Sequence, residues 1–339
     1  MAVRFMDSFD HYVSGDLLQK WSGDFAARPG ITAGQGRFSA GLVENSGGTS
    51  NGGLYKTLDA QGTWILGAAF FFTAVSASSG ILGVYDAGVL QVDVRLNASH
   101  LLQVTRNGTV LGTGTTPVTA GVWHFIELKV VIHNSTGTAE VRLDGGTEIS
   151  LTGQDTQNTA NATADQVAAR MKSNSVSTRI DDFYACDGTG SAPANTFLGD
   201  CKCVTKLPSG NGNSSVLVGS DGNSTDNYLL VDEAAQDGDT TYVESSTVGD
   251  KDTYAYENLA PDAGAVFGVQ LLPWAKKTDA GTRSIVTVAR LSATEVDSTA
   301  KALSTTYTYL PDVRETKPGG GAWSVTDFDN AEFGLKVNA

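Results

Sequence analysis

Cysteine is nearly absent from this sequence: Cys186, Cys201 and Cys203 are the three it has in 339 residues. So small and odd a set cannot form a disulfide framework. A Cys-Lys-Cys spacing with no nearby histidine also supplies too few ligands for a closed tetrahedral zinc site. Reduced thiols acting as small hydrophobes are the default reading. Long apolar runs are missing too. The longest is WILGAAFFFTAV at 64–75, and a membrane span needs roughly twenty residues, so this run reads as a buried strand and no membrane insertion is expected. The opening MAVRFMDSFDHYVSGD interleaves charges with apolar positions, and nothing in it marks a secretory signal. Asn-x-Ser/Thr triplets at Asn97, Asn107, Asn134, Asn161, Asn213 and Asn223 are then what a Ser/Thr/Asn-rich chain produces by chance.

Positive charge is scarce, with 23 Lys and Arg against 37 Asp and Glu and a net charge of −14. Such a chain repels phosphate backbones and anionic lipid, so no nucleic-acid partner is expected. Proline is scarce as well, at eight against thirty-nine glycines, which fits many short strands joined by tight turns rather than helices. The chain is 40% hydrophobic and long enough for a core in each of two ordinary domains.

Chemical motifs are equally thin. His11, His100, His124 and His133 are scattered, with no His-Glu-x-x-His or His-x-His pair, and read as structural. No Gly-x-Ser-x-Gly elbow or phosphate-binding glycine loop occurs. Glu127 lies centrally in a strand, but its same-parity neighbours are Phe125 and Lys129, so the paired carboxylate of a retaining glycosidase is not delivered. Asp221-Gly222-Asn223 and Asp237-Gly238-Asp239 offer oxygen ligands without continuing into a twelve-residue calcium loop. Trp21 and Tyr85 are candidate exposed aromatics for sugar stacking, although five tryptophans are accounted for by cores. The expectation is a chain that is not an enzyme, with no catalytic residue, no cofactor and no metal ligand to name.

What is present is strand patterning, clearest in VWHFIELKVVIHNSTGTAEVRLDGGTEISL at 122–151. Ile126, Leu128, Val130 and Ile132 share one parity and Glu127 and Lys129 the other, the two-residue period of a half-buried strand. Ala139, Val141 and Leu143 repeat it after a run of turn formers, and Asp144-Gly145-Gly146 turns the chain again, giving a three-strand meander. Upstream, Leu90, Val92, Val94 and Leu96 alternate with Gln91, Asp93 and Arg95, and Asn107-Gly108 predicts a type I′ hairpin. QVAARMK at 166–172 is expected to form one helical turn, and Ser209 to Asn227 a long exposed excursion. The run IDDFYA mirrors the opening FMDSFDHY and is expected beside it.

The fold class expected is all-β: a jelly-roll sandwich at residues 1–188, a linker at 189–195, and a smaller β-sandwich at 196–339 whose first strand runs from Phe197 to Val204.

VWHFIELKVVI, RLDGG and the late IDDFYACDGTG together resemble the closing half of laminin-G-like, concanavalin A-like lectin sandwiches, as carried by bacteriophage virion proteins. The resemblance covers residues 1 to about 190. The Glu-x-Asp-x-x-Glu motif of sugar hydrolases on that fold is absent. The segments DGDTTYVES, GVQLLPWAKKTDAG and WSVTDFDNAEFGLKV are similar to C-terminal regions of tailed-phage structural proteins. The resemblance implies a non-enzymatic structural component of a tailed-phage particle, tail-associated and assembled in the bacterial cytoplasm. Its partners would be other virion proteins, with surface glycans as candidate ligands. Further copies of the chain, such as a trimer, are expected on other grounds: the Ser209 to Asn227 and Glu315 to Gly321 loops carry little apolar material to pin them onto their own domain, and the edge strands of a sandwich need covering. A capsid decoration protein is one alternative, and a free carbohydrate-binding protein or glycosidase is the other.

Overall fold

The structure is a computed structural model that describes residues 2–25, 29–38, 41–45, 52–75, 80–171 and 178–339. Two compact units divide the chain, Met1–Val204 and Thr205–Ala339.

The first unit holds β1 (Val3–Asp7), α1 (Leu17–Lys20), β2 (Gly23–Asp24), β3 (Gly30–Thr32), β4 (Leu42–Asn45), β5 (Gly52–Gln61), β6 (Thr63–Phe72), β7 (Leu82–Asp86), β8 (Val89–Leu96), β9 (Leu101–Arg106), β10 (Thr109–Pro117), β11 (Trp123–Val131), β12 (Gly137–Leu143), β13 (Gly146–Gln154), β14 (Ala164–Met171) and β15 (Thr178–Asp187). They form two antiparallel sheets. One has eight strands in the order β13-β12-β11-β6-β15-β4-β3, with β1 also on β15; the other has seven, β10-β9-β8-β7-β14-β5-β2. The all-β sandwich expected from the alternation is what forms. Between the sheets lie the apolar parities, among them Trp64, Leu66 and Phe70 of β6 and Val92, Val94 and Val104 of β8 and β9, all fully buried. The Trp64 indole donates to the Ala164 carbonyl at 2.9 Å, which satisfies its polar edge inside the core.

The meander pairs as its parity requires, with Glu127 opposite Arg142 and Val141 opposite Ile149. Asp144 and Gly145 turn it at φ +49° and +82°, and Asn107 and Gly108 turn the β9–β10 hairpin at φ +42° and +91°. The opening strand does lie beside IDDFYA, with Asp7 opposite Phe183 and Phe5 opposite Ala185.

Three expectations are corrected. QVAARMK is part of β14, hydrogen-bonded to β5 and β7. Val167 and Ala169 face the core while the small Ala168 takes the other parity, so alternation was disguised. Residues 196–204, assigned from sequence to the second domain, belong to the first unit and form no strand. They are held there by hydrogen bonds from Gly199 N to Glu127 at 2.9 Å and from Cys203 N to Asp182 at 2.8 Å. The 209–227 stretch is not an excursion. Pro208–Ser215 pairs with Lys251–Tyr256, and the buried Asp252 carboxylate accepts from Val216 N, Leu217 N and the Asn227 amide at 2.5–2.9 Å. That folded loop removes one motive for expecting an oligomer.

The second unit is built on a six-stranded antiparallel sheet, Pro208–Ser215, Lys251–Tyr256, Ala331–Val337, Ser284–Leu291 and Thr294–Asp297 in order, with Lys301–Ala302 also on Ser284–Leu291. Its core gathers Ala289, Phe333, Val269, Leu271, Trp323 and Phe328. The strand Val269–Leu271 and the helix Val325–Asp329, started by a Ser324–Asp327 capping box, thus supply the layer over that sheet.

Candidate functional site

With Val92, Val94 and Val104 turned inward, the opposite parity of the seven-stranded sheet faces away from the core. Register places a single transverse row there: Gly23 opposite Tyr55, Tyr55 opposite Ala168, Ala168 opposite Gly83, Gly83 opposite Asp93, and Asp93 opposite Thr105. The middle of the row is small. A Cβ on Gly83 would stand 3.3 Å from both Asp93 Cβ and the Tyr85 ring, and one on Gly23 would overlap the Tyr55 hydroxyl. Glycine therefore lets both tyrosines lean across, and Gly83 and Ala168 form a buried small-residue floor beneath the side chains of this face.

Charged and aromatic groups stand around this floor. Arg95 Nη2 donates to both Asp93 carboxylate oxygens at 2.7 and 2.9 Å, and the Thr105 hydroxyl donates to the same carboxylate. Asp93 is fully buried and has its charge matched in place. On the next strands, Arg170 Nη1 donates to the Tyr85 hydroxyl at 3.0 Å, and the guanidinium lies 4.6 Å from the Phe25 ring centre. Phe25 meets Tyr55 and Tyr85 at 5.6 Å each. Burial raises the Tyr85 phenol above its usual range against the pull of Arg170, so it keeps its proton. The result is a face of aromatic rings, two guanidinia, one carboxylate and three hydroxyls over a small-residue floor. It can stack a sugar ring and exchange hydrogen bonds with its hydroxyls. Sequence reasoning singled out Tyr85 alone of these groups. It is 5% exposed, beside the small-residue floor rather than protruding.

The other candidates lie apart from this face. Trp21 is 1% exposed, and its indole donates to Asp7 at 2.7 Å. Asp7 also accepts from the Tyr12 hydroxyl at 2.5 Å and pairs with the buried Lys20 at 3.0 Å. Burial pushes the Asp7 carboxyl up, but Lys20, His11 and these bonds together hold it below the usual range. His11, 3.4 Å from Lys20 Nζ, is driven down to about 3 by burial and by that cation. His100 sits in a turn at φ +64°. His124 bridges Thr119 at 3.0 Å and Asp144 at 2.8 Å, and His133 caps Ser135 N and Thr136 N. Glu127 lies on the eight-stranded sheet under residues 197–203 and accepts from the Tyr184 hydroxyl at 2.5 Å; burial raises its carboxyl. Asp221 and Asp237 accept from their own turns, and Asp239 is taken by Lys276 and Tyr307. Among the described residues no cluster of three His, Cys, Asp or Glu side chains is placed to hold a metal ion.

No family model matches the chain, and no curated protein matches it in sequence. Solved structures similar to it include a cellulose-induced protein, Cip1 (14% identity, TM-score 0.43, covering 58% of this chain and 99% of that one). A carbohydrate esterase from the Shiga toxin-encoding bacteriophage phi24B matches at 16% identity and TM-score 0.36, over 55% of this chain and 100% of that one. A sialidase matches at 10% identity and TM-score 0.35, over 47% of this chain, which spans 16% of that protein. The expectation that the chain is not an enzyme finds no support among these neighbours, two of which are enzymes.

Proposed function

We propose that the first unit recognises a glycan chain on the outer face of its seven-stranded sheet, as a carbohydrate-binding or carbohydrate-active protein. The observation that carries this is the convergence of Tyr55, Tyr85, Phe25, Arg170 and the Asp93–Arg95 pair over the Gly83–Ala168 floor. A sugar ring has an apolar C–H face that stacks on aromatic rings and an edge of hydroxyls that pair with carboxylate and guanidinium groups. Calorimetric titration of the full chain with an oligosaccharide panel tests the reading, and reducing-end release from the same panel separates binding from turnover. Failure of every oligosaccharide to bind would refute it. The placement in a phage particle that the sequence resemblance implies, with other virion proteins and copies of this chain as partners, stands beside this reading as a proposal. Mass spectrometry of purified particles tests it, and absence of the chain from them counts against it.

A further inference from the structure

Arg170 differs from every other described arginine. Arg4, Arg37, Arg95, Arg106, Arg142, Arg179, Arg283, Arg290 and Arg314 each have a carboxylate within 4.0 Å, and Arg170 has none. Its guanidinium makes one hydrogen bond, from Nη1 to Tyr85, and its Nε is buried with no partner. The carboxylate nearest along this face, Asp93, is already taken by Arg95 and Thr105. A guanidinium drawn out of water is unfavourable unless something matches its charge, and among the described residues no carboxylate pairs with this one.

We propose that Arg170 is the anion-reading group of the glycan face, and that its ligand is the carboxylate of an acidic sugar. This rests on the glycan reading above and narrows it to sugars that carry a carboxyl group. The geometry suits that ligand. Tyr85 occupies Nη1 and the Phe25 ring supports the guanidinium plane, which leaves Nη2 for a charge-assisted pair with a carboxylate. Arg170 thereby supplies specificity where the net charge of −14 would otherwise repel an acidic chain.

Calorimetric titration of the full chain with trigalacturonate and triguluronate, each against its carboxyl-reduced form, tests this. In at least one pair the acid is expected to bind ten or more times more tightly than its reduced form, with a preference that shrinks as sodium chloride is raised. In Arg170→Gln the preference should fall below about twofold. Arg170→Lys, which keeps the charge but not the fork, should be intermediate and covers the case in which Arg170→Gln fails to fold. Equal affinities within both pairs, or a preference that survives in Arg170→Gln, would overturn the inference and leave the glycan reading standing. Failure of all four ligands to bind would sink both.

Discussion

The Tyr85 hydroxyl accepts a 3.0 Å hydrogen bond from Arg170 Nη1, joining side chains 85 positions apart in sequence. It fixes the guanidinium beside the small-residue floor, since both groups are on adjacent strands whose register sets Gln166 opposite Tyr85. Removing the hydroxyl alone should therefore loosen Arg170 while the ring stays. Tyr85→Phe is expected to weaken glycan binding about tenfold, on the order of 1.4 kcal/mol, with an unchanged far-ultraviolet circular dichroism spectrum. Titration calorimetry checks this.

Filling the floor is a separate perturbation. A Cβ at Gly83 meets Asp93 and Tyr85 at 3.3 Å, a distance that neighbours can relieve by a small shift, and valine suits a strand. Gly83→Val should fold, lose about 1–3 kcal/mol of stability from crowding, and lose glycan binding by more than tenfold.

The buried Asp7–Lys20 pair holds the opening strand and α1 together, with Trp21 and Tyr12 bonded to the same carboxylate. Asp7→Asn leaves Lys20 charged and unmatched at 1% exposure, so urea unfolding is expected to show a loss of about 3–5 kcal/mol. The double variant Asp7→Leu, Lys20→Met should lie closer to the wild type, because it removes both charges.

Much of the fold was legible where strands neighbour each other in sequence. The 122–151 meander and the Asn107-Gly108 hairpin follow from alternation and positive-φ residues within a few positions. The glycan face was not legible in the same way. Its transverse row takes Tyr55 from β5, Gly83 from β7, Asp93 from β8, Thr105 from β9 and Ala168 from β14, and only the register of the sheet brings these together. The polar parity of Gln91, Asp93 and Arg95 was visible and marks the face, yet its partner strand β14 was disguised by Ala168. Arg170 carried no sequence signal at all, because its lack of a counter-ion exists only in three dimensions.

Asp181 and Asp182 give a pH dependence with a definite sign. Burial and then the neighbouring Asp182 charge raise Asp181 to about 8, and burial raises Asp182 to about 6. Both folded values lie above the unfolded one, so the folded state binds more protons and stability falls as pH rises from about 4 to 8. His11, lowered to about 3, acts in the opposite direction below about 6.5, so the comparison is made between variants. Asp181→Asn removes the charge but keeps only one of the two oxygens that accept from Arg37 N and Asp182 N. The lost acceptor is a pH-independent offset, and on top of it the variant should gain on wild type progressively from pH 4 to pH 8. Urea titrations across that window check it; a constant difference would count against the coupling.

The central claim, that the outer face of the seven-stranded sheet is where a glycan binds, is tested most directly by binding of the full chain to an immobilised oligosaccharide panel alongside Gly83→Val. The expected result is at least one oligosaccharide retained by the wild type and lost by the folded variant. A wild type that retains none, or a variant that retains the same oligosaccharides with the same affinity, would contradict it.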